Sequence, residues 1–163
     1  MKTIQKKAPK LTLNLQFGKG QREDYWPLSR PRMRRLILAS LPSQCTSAVI
    51  TVRIVGREEG QQLNRQYRNK DYATNILTFD YTTPPQVHAD LVICLPIVRA
   101  EAKLQRKSID HHLCHLLIHG VLHACGLDHQ SPRDAQTMET LEIALLQRFS
   151  IANPYETTLP VAR

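Results

Sequence analysis

Apolar and polar positions change period several times along this chain, and each change marks an element. Leu11, Leu13, Leu15 and Phe17 alternate with polar residues, the period of a half-buried strand. The segment from Gly18 to Pro27 reads as loop. Ser29 is placed to cap a helix near 30–41, with Pro31 accepted in its first turn. Ser47–Val55 is rich in β-branched residues and predicts a second strand. Glu58–Arg68 suits a short helix, weakened by Gly60. A third strand is expected at 74–81. The Thr-Thr-Pro-Pro stretch then makes a turn, and a fourth strand at 89–95 ends at Pro96. Residues 97–107 and 109–125 both read as helices. The second carries an apolar side through Leu113, Leu116, Leu117, Val121 and Leu122. Gly126 suits the left-handed position that closes a helix. Ser131, Pro132 and Asp134 open a last helix, 132–149, and 153–163 is expected to be a loose tail. Helices gathered after a run of strands predict an α+β fold. The length of 163 residues suits one domain, 1–163.

Composition changes this picture in one respect. Lys and Arg number 22 against 14 Asp and Glu, a formal net charge of +8, so the chain is attracted to polyanions. Only 6% of residues are aromatic, which disfavours a surface built to stack many bases. Basic residues gather at Arg30, Arg32, Arg34 and Arg35, then at Lys103, Arg106 and Lys107. They are candidate nucleic acid contacts or solvated helix faces. The four cysteines form no C-x-x-C pair, and the simpler reading is reduced thiols in a cytosol. The basic N-terminus lacks the apolar run of a secretory signal, and no window suits a membrane span. A cytoplasmic location is expected.

Six of the seven histidines fall between 111 and 129. Within them, His119 and His123 are four apart and so share a helix face. Their axial offset of about 6 Å lets both imidazoles approach one ion. Gly126 turns the chain, and His129 can return as a third ligand. Three protein ligands leave room for water or substrate, the arrangement of catalytic rather than structural zinc. Three neutral imidazoles also leave the charge of the ion uncompensated, which suits an anionic phosphodiester. His115, one turn before His119, is a candidate support for that ligand, whereas His111 and His112 are expected on the surface at the helix start. The pattern overlaps H-E-x-x-H-x-x-G-x-x-H of the metzincin peptidases, but Gly120 stands where they carry the glutamate base. Proteolysis is therefore disfavoured.

The run from His119 to His129, H-G-V-L-H-A-C-G-L-D-H, resembles the signature of the YbeY family of bacterial endoribonucleases. A second stretch of that family is present as Leu63, Asn64, Tyr67, Arg68, Lys70, Asp71 and then Thr74–Phe79; a weaker third runs from Ala89 to Ile93. The resemblance covers roughly 47–155 and covers 1–46 poorly. Ala89 departs from a usual Gly, Leu127 from a frequent Tyr, and Cys125 from a common Leu.

The resemblance implies an α+β fold with a small mixed, mostly four-stranded sheet packed with helices, its metal site on a C-terminal helix and the following loop, and a metal-dependent, single-strand-specific endoribonuclease. Its roles would be maturation of the 16S ribosomal RNA 3′ end and ribosome quality control. The implied metal ligands are His119, His123 and His129, the ion zinc with nickel as an option, and the catalytic residue Arg68. Partners would be single-stranded RNA or rRNA and the ribosome or its small subunit. Read by itself, Arg68 is a structural residue paired with an acid such as Asp71, and only the motif match makes it catalytic. Asp128 could orient an imidazole or simply sit in a surface turn. The competing reading is a non-enzymatic, ribosome-associated RNA-binding factor with a structural metal, for which Cys125 or His115 would serve as a fourth ligand.

Overall fold

The computed structural model describes residues 6–156. Four strands, β1 (Lys10–Phe17), β2 (Ser47–Val55), β3 (Ile76–Thr82) and β4 (Gln86–Cys94), form one sheet in the order β1-β2-β4-β3. The first three positions run parallel, and β3 is antiparallel to β4 at one edge. Among the described residues five α-helices complete the fold: α1 (Arg30–Ser40), α2 (Arg57–Arg68), α3 (Leu95–Leu104), α4 (Ile109–Ala124) and α5 (Pro132–Arg148). This is the expected α+β arrangement with a four-stranded mixed sheet. No helix among the described residues is long and apolar enough to cross a membrane.

The sheet divides two cores of unequal size. Ile50, Val52 and Ile54 of β2, with Ala89, Leu91 and Ile93 of β4, face the large core that also holds α1, α4 and α5. The alternate positions Val55, Leu77, Val92 and Cys94 form the smaller core, packed with Leu63 of α2. Period-2 alternation places one set on each face. Buried on both sides, β4 therefore reads as a nearly continuous apolar run.

Helix α4 is the central helix. It buries Leu113, Leu117, Ile118 and Val121 completely and touches α1, α3, α5, β3 and β4. The helix is thus held on several sides at once.

Three boundaries differ from expectation. Strand β4 begins at Gln86, three residues before 89, because its register with Ser47 continues to the turn. Residues 74 and 75 stand outside β3, and Asn75 uses its backbone carbonyl to accept from Cys94 N–H at 3.0 Å. Helix α3 starts at Leu95, with Pro96 inside its first turn, where a missing N–H costs nothing. Part of the supposed loose tail, residues 153–156, is tied down: Lys107 Nζ donates to the Pro154 carbonyl at 2.8 Å, and Tyr155 reaches Glu142. The remainder of that tail, and the first five residues of the basic N-terminus, lie outside the described residues.

Candidate metal centre

The sequence around His123 ends α4 in a way that returns the chain to its own face. Cys125 is the last, half-helical residue, and Gly126 adopts φ 95°. Gly126 N–H donates to the His123 carbonyl at 2.9 Å, and Leu127 N–H to the Leu122 carbonyl at 3.1 Å. These two bonds close the helix by the glycine-dependent reversal in which the last carbonyls are satisfied from beyond the end. A side chain with Cβ at position 126 would be strained at that φ. The loop that follows carries His129 back beside His119 and His123.

The three rings converge. Their centroids lie 4.8 Å apart for His119–His123, 4.8 Å for His123–His129 and 5.7 Å for His119–His129. One ring nitrogen from each lies within 4.8 Å of the others. Nitrogens this close together can be shared by one ion, which binds each at roughly 2.0–2.1 Å. His119 and His123 are half-buried and His129 is exposed, so the group is open on one side. Burial, and then the neighbouring His119 and His129, push the His123 pKa down. A neutral imidazole is the form that ligates. Three histidines therefore fit a metal ion, and among the described residues neither Cys125 nor His115 joins their group. Burial pushes the Cys125 thiol up to about 12, keeping it protonated at neutral pH.

A carboxylate the sequence reading did not single out supports the cluster. Glu142, on α5, is completely buried. Its Oε1 lies 2.5 Å from His119 Nδ1 and its Oε2 lies 2.9 Å from His115 Nε2. The Tyr155 hydroxyl donates to Oε2 as well. Burial would raise this carboxyl, but the bonds from His115, His119 and Tyr155 hold it down at about 2. An ionised Glu142 can only accept, so His119 Nδ1 donates to it, and Nε2 is the ring nitrogen left for an ion. Glu142 lies on the same α5 face as buried Met138, Leu145 and Leu146. A glutamate within an apolar stripe is the signal that could have revealed it.

Other histidines and Asp128 take places that the sequence left open or misassigned. His115 supports His119 as expected, though through Glu142 rather than directly. His111 is exposed, but His112 is 4% exposed, because it shares a face with Leu116 and packs against Glu101 of α3. Asp128 accepts the His129 backbone N–H at 2.7 Å, so it holds the turn and orients no imidazole. Gly120 faces the sheet: a Cβ there would stand 2.8 Å from Ile76 Cδ1 and 3.1 Å from Leu91 Cδ2. The peptidase glutamate has no room at this position.

Arg68 closes α2, where Asn69 takes the left-handed conformation at φ 56°. Its side chain lines a cleft of about 680 Å³ together with His119, His123, His129 and Tyr67. Asp71, the acid that might have claimed it, instead accepts from Gln61 at 3.0 Å and lies 3.8 Å from Arg65. Among the described residues Arg68 has no ion pair. The loop after α2 is pinned by Asn64, fully buried, whose Nδ2 donates to the Tyr72 carbonyl at 2.7 Å. Half of the second sequence stretch thus builds the cleft wall that presents the other half. Phe79 packs edge-on against Tyr67 at 5.0 Å on that wall, leaving Tyr67 60% exposed.

The family model described as Endoribonuclease YbeY matches residues 31–150. The chain belongs to the YbeY endoribonuclease family. A YbeY relative from Albidiferax ferrireducens is 52% identical over 147 residues, which cover 89% of this chain and 97% of the relative. One from a Polaromonas species is 54% identical over 148 residues, covering 89% and 94%. These YbeY matches are longer than the stretch 47–155, so family likeness extends into the N-terminal region that the motifs alone covered poorly. The solution structure of TM1509 from Thermotoga maritima is similar in fold, with TM-score 0.57 and 20% identity over 93% of this chain and 100% of that one.

Proposed function

We propose that this chain, acting as one domain, is a metal-dependent endoribonuclease that cuts single-stranded RNA in the cleft between Arg68 and the three histidines. The reading rests most heavily on one observation: an open His119–His123–His129 cluster and an unpaired Arg68 line the same cleft. In this reading the RNA is the 3′ region of 16S ribosomal RNA, met on the small subunit in the cytoplasm, in maturation and quality control. Zinc suits three imidazoles, and nickel is the alternative.

His119, His123 and His129 would hold the ion. When bound, it supplies Lewis acidity toward a phosphoryl oxygen and lowers the pKa of water. The chain's own residues do the rest. Glu142 keeps the His119 proton on Nδ1 and so leaves Nε2 toward the cleft. Arg68 offers a planar pair of donors to the non-bridging phosphate oxygens, where negative charge builds during cleavage. The exposed face of Tyr67 can carry a base beside that phosphate. The free basic side chains of α1 would add sequence-independent attraction for the strand. Arg32 and Arg34 are partly engaged, with Asp110 at 3.1 Å and the Leu11 carbonyl at 3.1 Å.

Incubation of end-labelled single-stranded RNA with wild type and with His123→Ala, with metal content assayed in both, tests this. Cleavage and about one ion per chain only in the wild type support it. Equal cleavage by both defeats it. A metal-loaded wild type that cuts nothing favours a ribosome-associated factor with a structural ion.

A further inference from the structure

A second cleft, of about 630 Å³, opens on the other side of a ridge made by Asn75, Ile76 and His119. Those three residues line both clefts. The second is walled by the end of α3, the first turns of α4 and residues 154–156. Its size is that of a small-ligand pocket.

The lining is polar where it is deepest. His112, 4% exposed, has no hydrogen-bond partner on either ring nitrogen. Its Nε2 stands 3.5 Å from Glu101 Oε2, beyond a sound hydrogen bond. Asn75 Nδ2 donates to the same carboxylate oxygen at 3.2 Å. The His112 nitrogens lie behind the wall, and what the cleft presents is the part-exposed Glu101 carboxylate and the Asn75 amide, an acceptor and a donor for a ligand with polar edges. The mouth has a different character. Leu104 is 85% exposed and Tyr155 41%, and the exposed Arg106 lines the cleft with them.

We infer that this cleft is a nucleotide subsite, holding the nucleoside next to the phosphate that is cut. The inference rests on the RNA-cleaving reading above. A strand whose phosphate lies at the three histidines must leave in two directions. The Arg68–Tyr67 cleft takes one, and the ridge shared through His119 leads directly into the other. A base has flat faces for Leu104 and the Tyr155 ring. Its edge carries both donors and acceptors, which match the Glu101 carboxylate and the Asn75 amide. Arg106 at the mouth meets the following phosphate. A bare anion would suit the cleft poorly, because Glu101 would repel it.

Leu104→Glu and Arg106→Glu test this, since both residues are exposed and neither touches the histidine cluster. RNA binding is followed by fluorescence anisotropy in a His123→Ala background, where the strand stays whole. Cleavage is followed in the wild-type background. Each substitution is expected to weaken binding about tenfold, the scale of one lost base contact, and to raise KM with kcat, metal content and melting temperature unchanged. Trimming the RNA one nucleotide at a time from each end adds a second readout. Loss of the nucleotide that occupies the cleft should cost the unsubstituted protein the same factor and cost Leu104→Glu nothing further. Variants that bind and cut like their parents overturn the subsite, as does an equal trimming loss in parent and variant. A wild type that cuts no RNA while both substitutions still weaken binding overturns the cleavage reading and leaves the subsite standing.

Discussion

Replacing Glu142 with glutamine alters little volume but changes the logic of the buried network. The carboxylate receives His119 Nδ1 at 2.5 Å, His115 Nε2 at 2.9 Å and the Tyr155 hydroxyl, all on two oxygens. Glutamine has one oxygen and one NH2. If the oxygen faces His119, the imidazole keeps its proton on Nδ1, but a neutral bond replaces one to an ion that is about twice as strong. The NH2 then faces His115 and Tyr155, and at least one donor loses its acceptor. If the NH2 faces His119, the proton moves to Nε2 and removes the lone pair a metal would use. Either way metal binding weakens, by about 10–100-fold for loss of such a supporting partner. An unmatched buried donor costs about 1–3 kcal/mol, and each kcal/mol lowers the melting temperature by roughly 2–4 °C in a chain of this size. Competition for zinc against a chromogenic chelator at neutral pH measures the first effect. Calorimetry of the metal-free protein measures the second. A Glu142→Gln protein that holds zinc within twofold of wild type would refute the claim that this carboxylate sets the state of His119.

Arg68→Ala should lower kcat by about 10²–10³, the scale of one lost transition-state donor, while metal content and melting temperature stay at wild-type values. Loss of metal or of folding would instead make Arg68 structural. Gly120→Ala sets a helix-propensity gain of about 1 kcal/mol against overpacking of about 1–3 kcal/mol, because the new methyl meets Ile76 and Leu91. A net loss in chemical denaturation is expected, and a clear gain in stability would mean that the α4–sheet contact has slack. Glu101 supplies a pH test. Burial opposes its ionisation, but the adjacent His112 and Asn75 hold its carboxyl below the ordinary 4.5. Its contribution is therefore full above that value and is lost as pH falls through the lower folded value. The stability gap between wild type and Glu101→Gln should narrow as pH falls below the ordinary 4.5, and a gap that widens on acidification would contradict the assignment.

Much of the site was legible along the chain because its geometry is local. Residues four apart on a helix share a face whatever surrounds them, which pairs His119 with His123. A glycine that can take φ 95° reverses the chain within three residues, which returns His129. The alternation in β1 and the β-branched run in β2 likewise predict strands from their own periodicity. What the tertiary structure decided lies at long sequence separation. Glu142 meets His119 and His115 only because α5 packs on α4, 23 and 27 residues away. His112 is buried rather than superficial because α3 covers the start of α4. Asp128 serves its own turn, and Tyr155 belongs to the network instead of a free tail. Arg68 reaches the histidine cleft because β3, the strand that follows its loop, lies directly against α4. Local period determines which side chains point together on one element. Which elements then share a core is set by burial of apolar surface, a sum over many residues that no short motif contains.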